Sequence, residues 1–352
     1  MSAFAELDNK TPFSAALYPL VGPEGEEQLL LVIACSFSGF GGTPGPAAEQ
    51  WAVHDVDEYL GDPAASSMQF ESDVCPPKPF VDVLVHGQVH APGGRPATEV
   101  PVQLAVGDVQ KTLLASGPRR WASFLPGIPH PFVTLDLVYE HAFGGTRPNG
   151  KVFMENPAGV GFEDLLPRLE DPRNRLERKG GTCPVAGFGI VGRHWLPRAS
   201  LAGTYDDTWK EKRWPLLPTD LDPRHFQSAP VDQQSRTIRG GERGHIVNMS
   251  QSGAWRFTVP RLDVAVHRFF DHAADVLNPR FDTLWLEPAR DRLTFLGRAI
   301  VADSAPSERG LLRGIVLGNM RPCWVRARSS RRMYLDWGGT DGLSDRPLYA
   351  FQ

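Results

Sequence analysis

The stretch from Ala186 to Gln233 narrows what this chain can fold into, because it sets bulky aromatics beside Gly and Pro at almost every turn. Pro197, Pro215, Pro218 and Pro223 remove backbone donors and fix φ, so long helices are excluded there. Three of the nine tryptophans, Trp195, Trp209 and Trp214, fall close together in it among charges of both signs. The rest of the chain has the same character, with 35 Gly and 32 Pro in 352 residues against a globular 41% of apolar residues. Such a composition folds but breaks helices. It predicts a mainly β protein, with antiparallel sheets in a sandwich or barrel-like arrangement, long Pro/Gly-rich loops and few short helices.

The longest apolar run, Leu29 to Phe37, is too short for a membrane span and reads as a buried strand. Val81 to His90 alternates, with Val81, Val83, Val85 and Val89 on one face and Asp82, Leu84, His86, Gln88 and His90 on the other. Pro92-Gly93-Gly94 then marks a turn, and Val100 to Val106 resumes the alternation, which predicts an antiparallel hairpin between the two. Further strands are expected in 132–143 and 244–260. Thr283 to Glu287 and Arg292 to Val301, joined by a four-residue loop, form a second expected hairpin. Two segments are candidate helices, 162–176 and 264–277. Pro167 and Pro172 interrupt the first, and the second begins with period-two alternation.

The Gly, Pro and Asn cluster at 144–156 suggests a division into an N-terminal β-rich part (1–150) and a C-terminal β-rich part (151–302) closely packed on it, followed by a C-terminal extension (303–352). The 37 basic and 41 acidic residues give a formal charge of −4, which supplies no field to favour nucleic acid or an anionic membrane as a partner. Cys35, Cys75, Cys183 and Cys323 lie far apart with no CxxC pair, the pattern of separate thiols in a reducing compartment. The first twenty residues lack the basic start and apolar run of a secretory signal, so a cytoplasmic location is expected.

Several short motifs suggest chemistry that their context withdraws. Gly187, Gly189 and Gly192 have the GxGxxG spacing of a dinucleotide fingerprint, with Asp206 downstream, yet Gly180, Gly181 and Pro184 precede them and Pro197 would break the helix that must follow. Gly145 to Lys151 has P-loop spacing, but Val152 stands where a hydroxyl must reach magnesium. His86 and His90 are four apart on an expected strand, about 13 Å between Cα atoms, too far to share one ion. Asp206, Asp207, Asp220 and Asp222 offer paired carboxylates for glycoside hydrolysis, but in Thr219 to Pro223 they are better placed to fix turns. No GxSxG elbow occurs. The residues therefore point to no metal, no cofactor and no catalytic group.

The aromatics are left. Trp195, Tyr205, Trp209, Trp214 and Phe226 are core residues by default, yet exposed Trp and Tyr rimmed by arginine are favoured interface anchors. With Arg198 and Arg213 beside them, these seven are the candidate partner-binding residues.

Ordered motifs then carry a resemblance: KPFVDVLVHGQVHAPGG (78–94), GPRRW (117–121), YEHAFGG (139–145), NPAGVG (156–161), WLPR (195–198), GTYDDTW (203–209), LPTDLD (217–222) and APVDQ (229–233). Gly240 to Glu242, Phe257 to Arg261 and the hairpin from Phe281 add to it. The chain resembles the bacterial type VI secretion adaptor family, and departs from its pattern at His141, Leu221 and Gly297, where Arg, Phe and Trp are more usual. The resemblance implies a cytoplasmic adaptor or chaperone that binds a toxic effector, often one with a spike-tip domain, and helps load it onto the valine-glycine-repeat spike protein. It implies no catalytic residues. An exposed sheet edge along 78–90 would offer such a client a strand to pair with. The rival reading is a carbohydrate-active enzyme or lectin-like protein, since loops rich in Trp, Tyr and Asp on β scaffolds also hold sugars.

Overall fold

Every residue from Leu29 to Phe37 is buried, so the strand Glu27–Ser38 needs cover on both of its faces. In the computed structural model, which describes residues 6–303, 309–332 and 342–351, it receives that cover. Leu29, Leu31, Ile33, Cys35 and Phe37 enter the main core, while Ala34 joins a smaller cluster on the opposite side with Trp51, Leu84, Ile190 and Trp285. A sheet buried on both faces is what lets this segment be apolar without alternation.

That strand belongs to a seven-stranded sheet. Its order is Gln234–Ser235, Val81–Val85, Arg280–Glu287, Arg292–Asp303, Glu27–Ser38 and Ser14–Val21, with Gly45–Pro46 paired off Glu27–Ser38. Pairing is antiparallel except where Val81–Val85 runs parallel to Arg280–Glu287, Asp82 lying opposite Thr283. A five-stranded antiparallel sheet, Leu169–Glu170, Val109–Ser116, Glu99–Val106, Arg243–Val247 and Ala254–Thr258, faces it. Val100, Val102, Leu104, Leu113, Ile246, Trp255 and Phe257 from this sheet share one core with the first, which makes a sandwich. A third sheet places Leu312–Leu317 between Glu6–Asn9, parallel, and Val266–Phe270, antiparallel, with Ala274–Leu277 at the far edge. Helices among the described residues are short: Leu196–Ala199, Asp207–Lys212 and Pro322–Ser329. The protein is mainly β with several antiparallel sheets, as its composition predicts.

The hairpin of Arg280–Glu287 with Arg292–Asp303 forms as its pattern predicts. The hairpin expected between 81–90 and 100–106 does not. Glu99–Val106 pairs instead with Val109–Ser116 through the two-residue turn Gly107-Asp108, with Gly107 at φ 58°, a conformation that favours glycine. The alternating segment also splits: Val81–Val85 is buried on both sides, and Gln88–His90 leaves the sheet to pair with Thr134–Asp136. Neither candidate helix forms. Val266–Phe270 and Ala274–Leu277 are a β-hairpin, in line with their period-two start, and 162–176 contributes only the short strand Leu169–Glu170.

Hydrogen-bond ladders cross the expected boundary near 150. Val81–Val85 lies beside Arg280–Glu287, Glu27–Ser38 beside Arg292–Asp303, and Glu99–Val106 beside Arg243–Val247. Each of these sheets thus draws strands from both parts of the sequence. Of the expected extension, residues 304–308, 333–341 and 352 lie outside the described residues, while Leu312–Leu317 is an inner strand and Tyr349–Ala350 pairs with Arg261–Leu262. No described helix is long and apolar enough to cross a membrane.

Candidate partner-binding surface

The Pro/Gly-rich stretch needs an anchor, since loops without ladders have little to fix them. A buried polar layer on the outer face of the large sheet supplies it. Asp82 accepts from Lys78 Nζ (2.8 Å), Gln227 Nε2 (2.7 Å) and the Ser228 amide (2.7 Å). Asp282 accepts from the Lys78 amide (2.9 Å) and from the Arg298 guanidinium, which also faces Asp73 (3.7 Å). Arg198 donates to Glu71 (2.7 Å) and to the carbonyls of Val191 (2.8 Å) and His225 (3.0 Å), with Arg193 on the same carboxylate (3.0 Å). Burial pushes the Glu71 carboxyl upward, but Arg198, Lys78 and Arg193 together outweigh it and hold it down to about 2.

Trp195 is 1% exposed and meets Tyr139 edge-on, ring centroids 5.1 Å apart. The glycines that mimic a nucleotide fingerprint serve these rings: a Cβ at Gly187 would stand 2.5 Å from Tyr139, and one at Gly192 2.6 Å from Trp195. Trp195 and Arg198 are thus parts of the scaffold and offer no free surface, which corrects their place among the partner-binding candidates. Neither residue type nor spacing signals this, because the partners, Tyr139 and Glu71, lie more than fifty residues away.

Farther along, the loop turns outward. Asp206 caps the helix Asp207–Lys212 by accepting from the Trp209 amide (2.8 Å), and Asp220 accepts from the amide and hydroxyl of Thr204 (3.0 and 2.7 Å). Asp222 accepts from the Arg224 amide (2.9 Å), and its pairing with the Arg224 side chain lowers its pKa. Asp220 and Asp222 hold turns, the role their sequence context suggests, and Asp206 holds a helix end. Half-buried Trp209 donates from its indole to the Leu216 carbonyl (2.9 Å) and packs edge-on against Tyr205 (4.7 Å). Arg213 donates to the Leu217 carbonyl (3.0 Å) and to the Pro23 carbonyl, bracing the loop on the turn after Ser14–Val21. The result is an outward group: Trp214, 68% exposed, Tyr205, 49% exposed, and exposed Leu217. Phe226 stays half-buried beside His225.

A second exposed apolar group escapes the sequence reading. Trp121–Ala122 pairs with Leu125–Pro126 around Ser123 (φ 63°), leaving Phe124 74% and Ile128 88% exposed, with Leu125 beside them. The signal is Phe124-Leu125-Pro126-Gly127-Ile128-Pro129, bulky apolar side chains between turn formers, where the chain cannot turn them inward. Among the described residues, no three His, Cys, Asp or Glu side chains come together as a metal site.

Residues 24–298 match the family described as an uncharacterized protein conserved in bacteria (DUF2169). The chain belongs to this family. The matched span covers all five strands of the smaller sandwich sheet, the larger one except its edge strand Ser14–Val21 and the end of Arg292–Asp303, the buried polar layer and both exposed apolar groups, so the DUF2169 region contains most of the sandwich and the surfaces it presents. No curated protein and no solved structure matches the chain.

Proposed function

We propose that this DUF2169 protein is a cytoplasmic, non-enzymatic adaptor of type VI secretion, which holds a toxic effector in a soluble state and helps load it onto the valine-glycine-repeat spike protein. One observation carries the binding part of this reading: Trp214, Tyr205 and Leu217 stand exposed on a loop whose every turn is fixed by a cap, a clasp or a brace. Exposed aromatics on preordered backbone bind a partner at low entropic cost. The motif order that resembles the secretion adaptors supports the choice of partner, and the occupation of Asp206, Asp220 and Asp222 in turns supports a binding role over hydrolysis.

The test is co-purification of the full chain with proteins encoded beside it, then measurement of effector solubility and secretion without it. Trp214→Ala with Leu217→Ser is expected to cut effector capture about tenfold while leaving the thermal midpoint unchanged, the size of a hot-spot loss. Unchanged capture would remove this surface from the reading. The exposed Trp214 and Tyr205 rings also suit stacking on sugars, so retention on immobilised glycans that vanishes in the same variant, with no effector captured, would turn the reading to carbohydrate binding.

A further inference from the structure

A cavity of about 460 Å³ opens at the end of the sandwich where Val81–Val85 and Arg280–Glu287 begin. Phe80, Leu262 and Phe281 supply partly exposed apolar wall, and Arg236, Arg239 and Arg280, all exposed, stand around it. Among the described residues, no Asp or Glu lines the cavity. Among the described residues the three guanidiniums make no ion pair: Arg236 lies over the Phe80 ring (4.8 Å), Arg280 donates to the Pro79 carbonyl, and Arg239 makes only a backbone bond to Glu242. Exposed arginines without an ion pair among the described residues occur elsewhere too, Arg95, Arg178, Arg243 and Arg256 among them. What marks this place is convergence, three such cations around one apolar hollow.

We infer that the cavity seats a peptide segment of a client protein in which a bulky apolar side chain is flanked by carboxylates, the side chain entering the hollow and the acids meeting Arg236, Arg239 and Arg280. The volume falls in the range of ligand-binding pockets, and exposed guanidiniums are suited to forked hydrogen bonding with carboxylate. Stacking on Phe80 and the bond to Pro79 hold two of the three in place before any ligand arrives. This deepens the adaptor reading and rests on it for the class of partner: the cavity names the chemistry of the segment a client would offer.

The probe is a fluorescein-labelled peptide, Gly-Ser-Asp-Phe-Glu-Leu, titrated against the full chain by fluorescence anisotropy at low salt. Saturable binding is expected with a dissociation constant on the order of 10 to 100 μM. The triple variant Arg236→Ser, Arg239→Ser, Arg280→Ser is expected to weaken it at least about tenfold, and so is the probe with Asn and Gln in place of its acids, or Ser in place of Phe. Because the Arg239 side chain meets no hydrogen-bond or ion-pair partner among the described residues, Arg239→Ser alone keeps the fold, and about a threefold weakening is expected from it. Absence of saturation, equal affinity for the neutral probe, indifference to the arginine substitutions, or displacement by inorganic phosphate at the peptide's own concentration would each overturn the inference. The synthetic probe contains no effector, so its failure is distinguishable from a failure of effector capture in the co-purification.

Discussion

Glu71 shows how single residues hold the presented loop. Its carboxylate joins Arg198 and Arg193 from the loop to the layer over the large sheet, and its pKa falls from 4.5 to about 2 because three cations outweigh the burial that opposes ionisation. The folded state binds this proton less readily than the unfolded chain, so the stabilisation is present above pH 4.5 and is lost as the pH falls toward 2. A depression of that size corresponds to about 3 kcal/mol. Thermal midpoints measured from pH 6 down to 2.5 are expected to drop through this window, and Glu71→Gln is expected to lower the midpoint at neutral pH and flatten the drop. A Glu71→Gln profile parallel to that of the parent protein would mean that other carboxylates govern acid unfolding. Arg198, read from sequence as a partner contact, acts here as an anchor, since only its distant partner Glu71 makes the difference between surface and core.

At the scale of elements, the outer edge of Val81–Val85 matters most. The segment 78–90 would offer a client a strand to pair with only if it lay at an open sheet edge, and this edge is occupied. Gln234–Ser235 pairs with Val81 and Asp82, the Val85 amide donates to the Phe188 carbonyl (3.1 Å), and Gln233 Nε2 donates to the carbonyls of Val83 (2.6 Å) and Phe188 (3.1 Å). Gln233 is fully buried and also accepts from Lys111 (2.8 Å), so one amide side chain closes the edge that a sheet would otherwise leave open. Gln233→Leu takes this donor from the buried Val83 carbonyl, while the Phe188 carbonyl keeps the Val85 amide, a loss of about 1 to 3 kcal/mol. Faster hydrogen exchange at the amides of Val83 and Val85 is the expected result, with the distant Glu99–Val106 strand unchanged. Unchanged exchange at Val83 and Val85 would show that the backbone pairings close the edge unaided.

The whole molecule is knitted by strands far apart in sequence. Because Glu27–Ser38 pairs with Arg292–Asp303 and Glu99–Val106 with Arg243–Val247, a chain cut near residue 150 leaves both halves with unpaired sheet edges and half a core. Residues 1–150 and 151–352 expressed separately are expected to be insoluble or to lack near-ultraviolet circular dichroism, and the full chain to unfold in one calorimetric transition. Two folded halves, each with its own transition, would contradict this. The cluster of Gly, Pro and Asn at 144–156 resembles a linker in composition, yet it packs tightly: Gly145 has φ 86°, a Cβ there would stand 2.2 Å from the Gly159 carbonyl, and buried Asn156 donates to the carbonyls of Tyr139 (2.9 Å) and Phe143 (3.1 Å).

What the sequence alone determined rests on local backbone preference and apolar pattern. Proline and glycine excluded long helices, the apolar run Leu29 to Phe37 declared its strand, and the four-residue loop after Glu287 declared its hairpin. The turn-holding aspartates were legible for the same reason, since their acceptors and donors are mostly a few residues apart. Tertiary structure alone decided which aromatics face solvent, because Trp195 and Trp214 have similar neighbours in sequence, yet Tyr139, Ala142 and Val191 cover Trp195 while Trp214 stands exposed. It also decided that Arg236, Arg239 and Arg280 share one cavity. Strand pairing across two hundred residues brings 280 beside 80, and no local rule of propensity contains that distance.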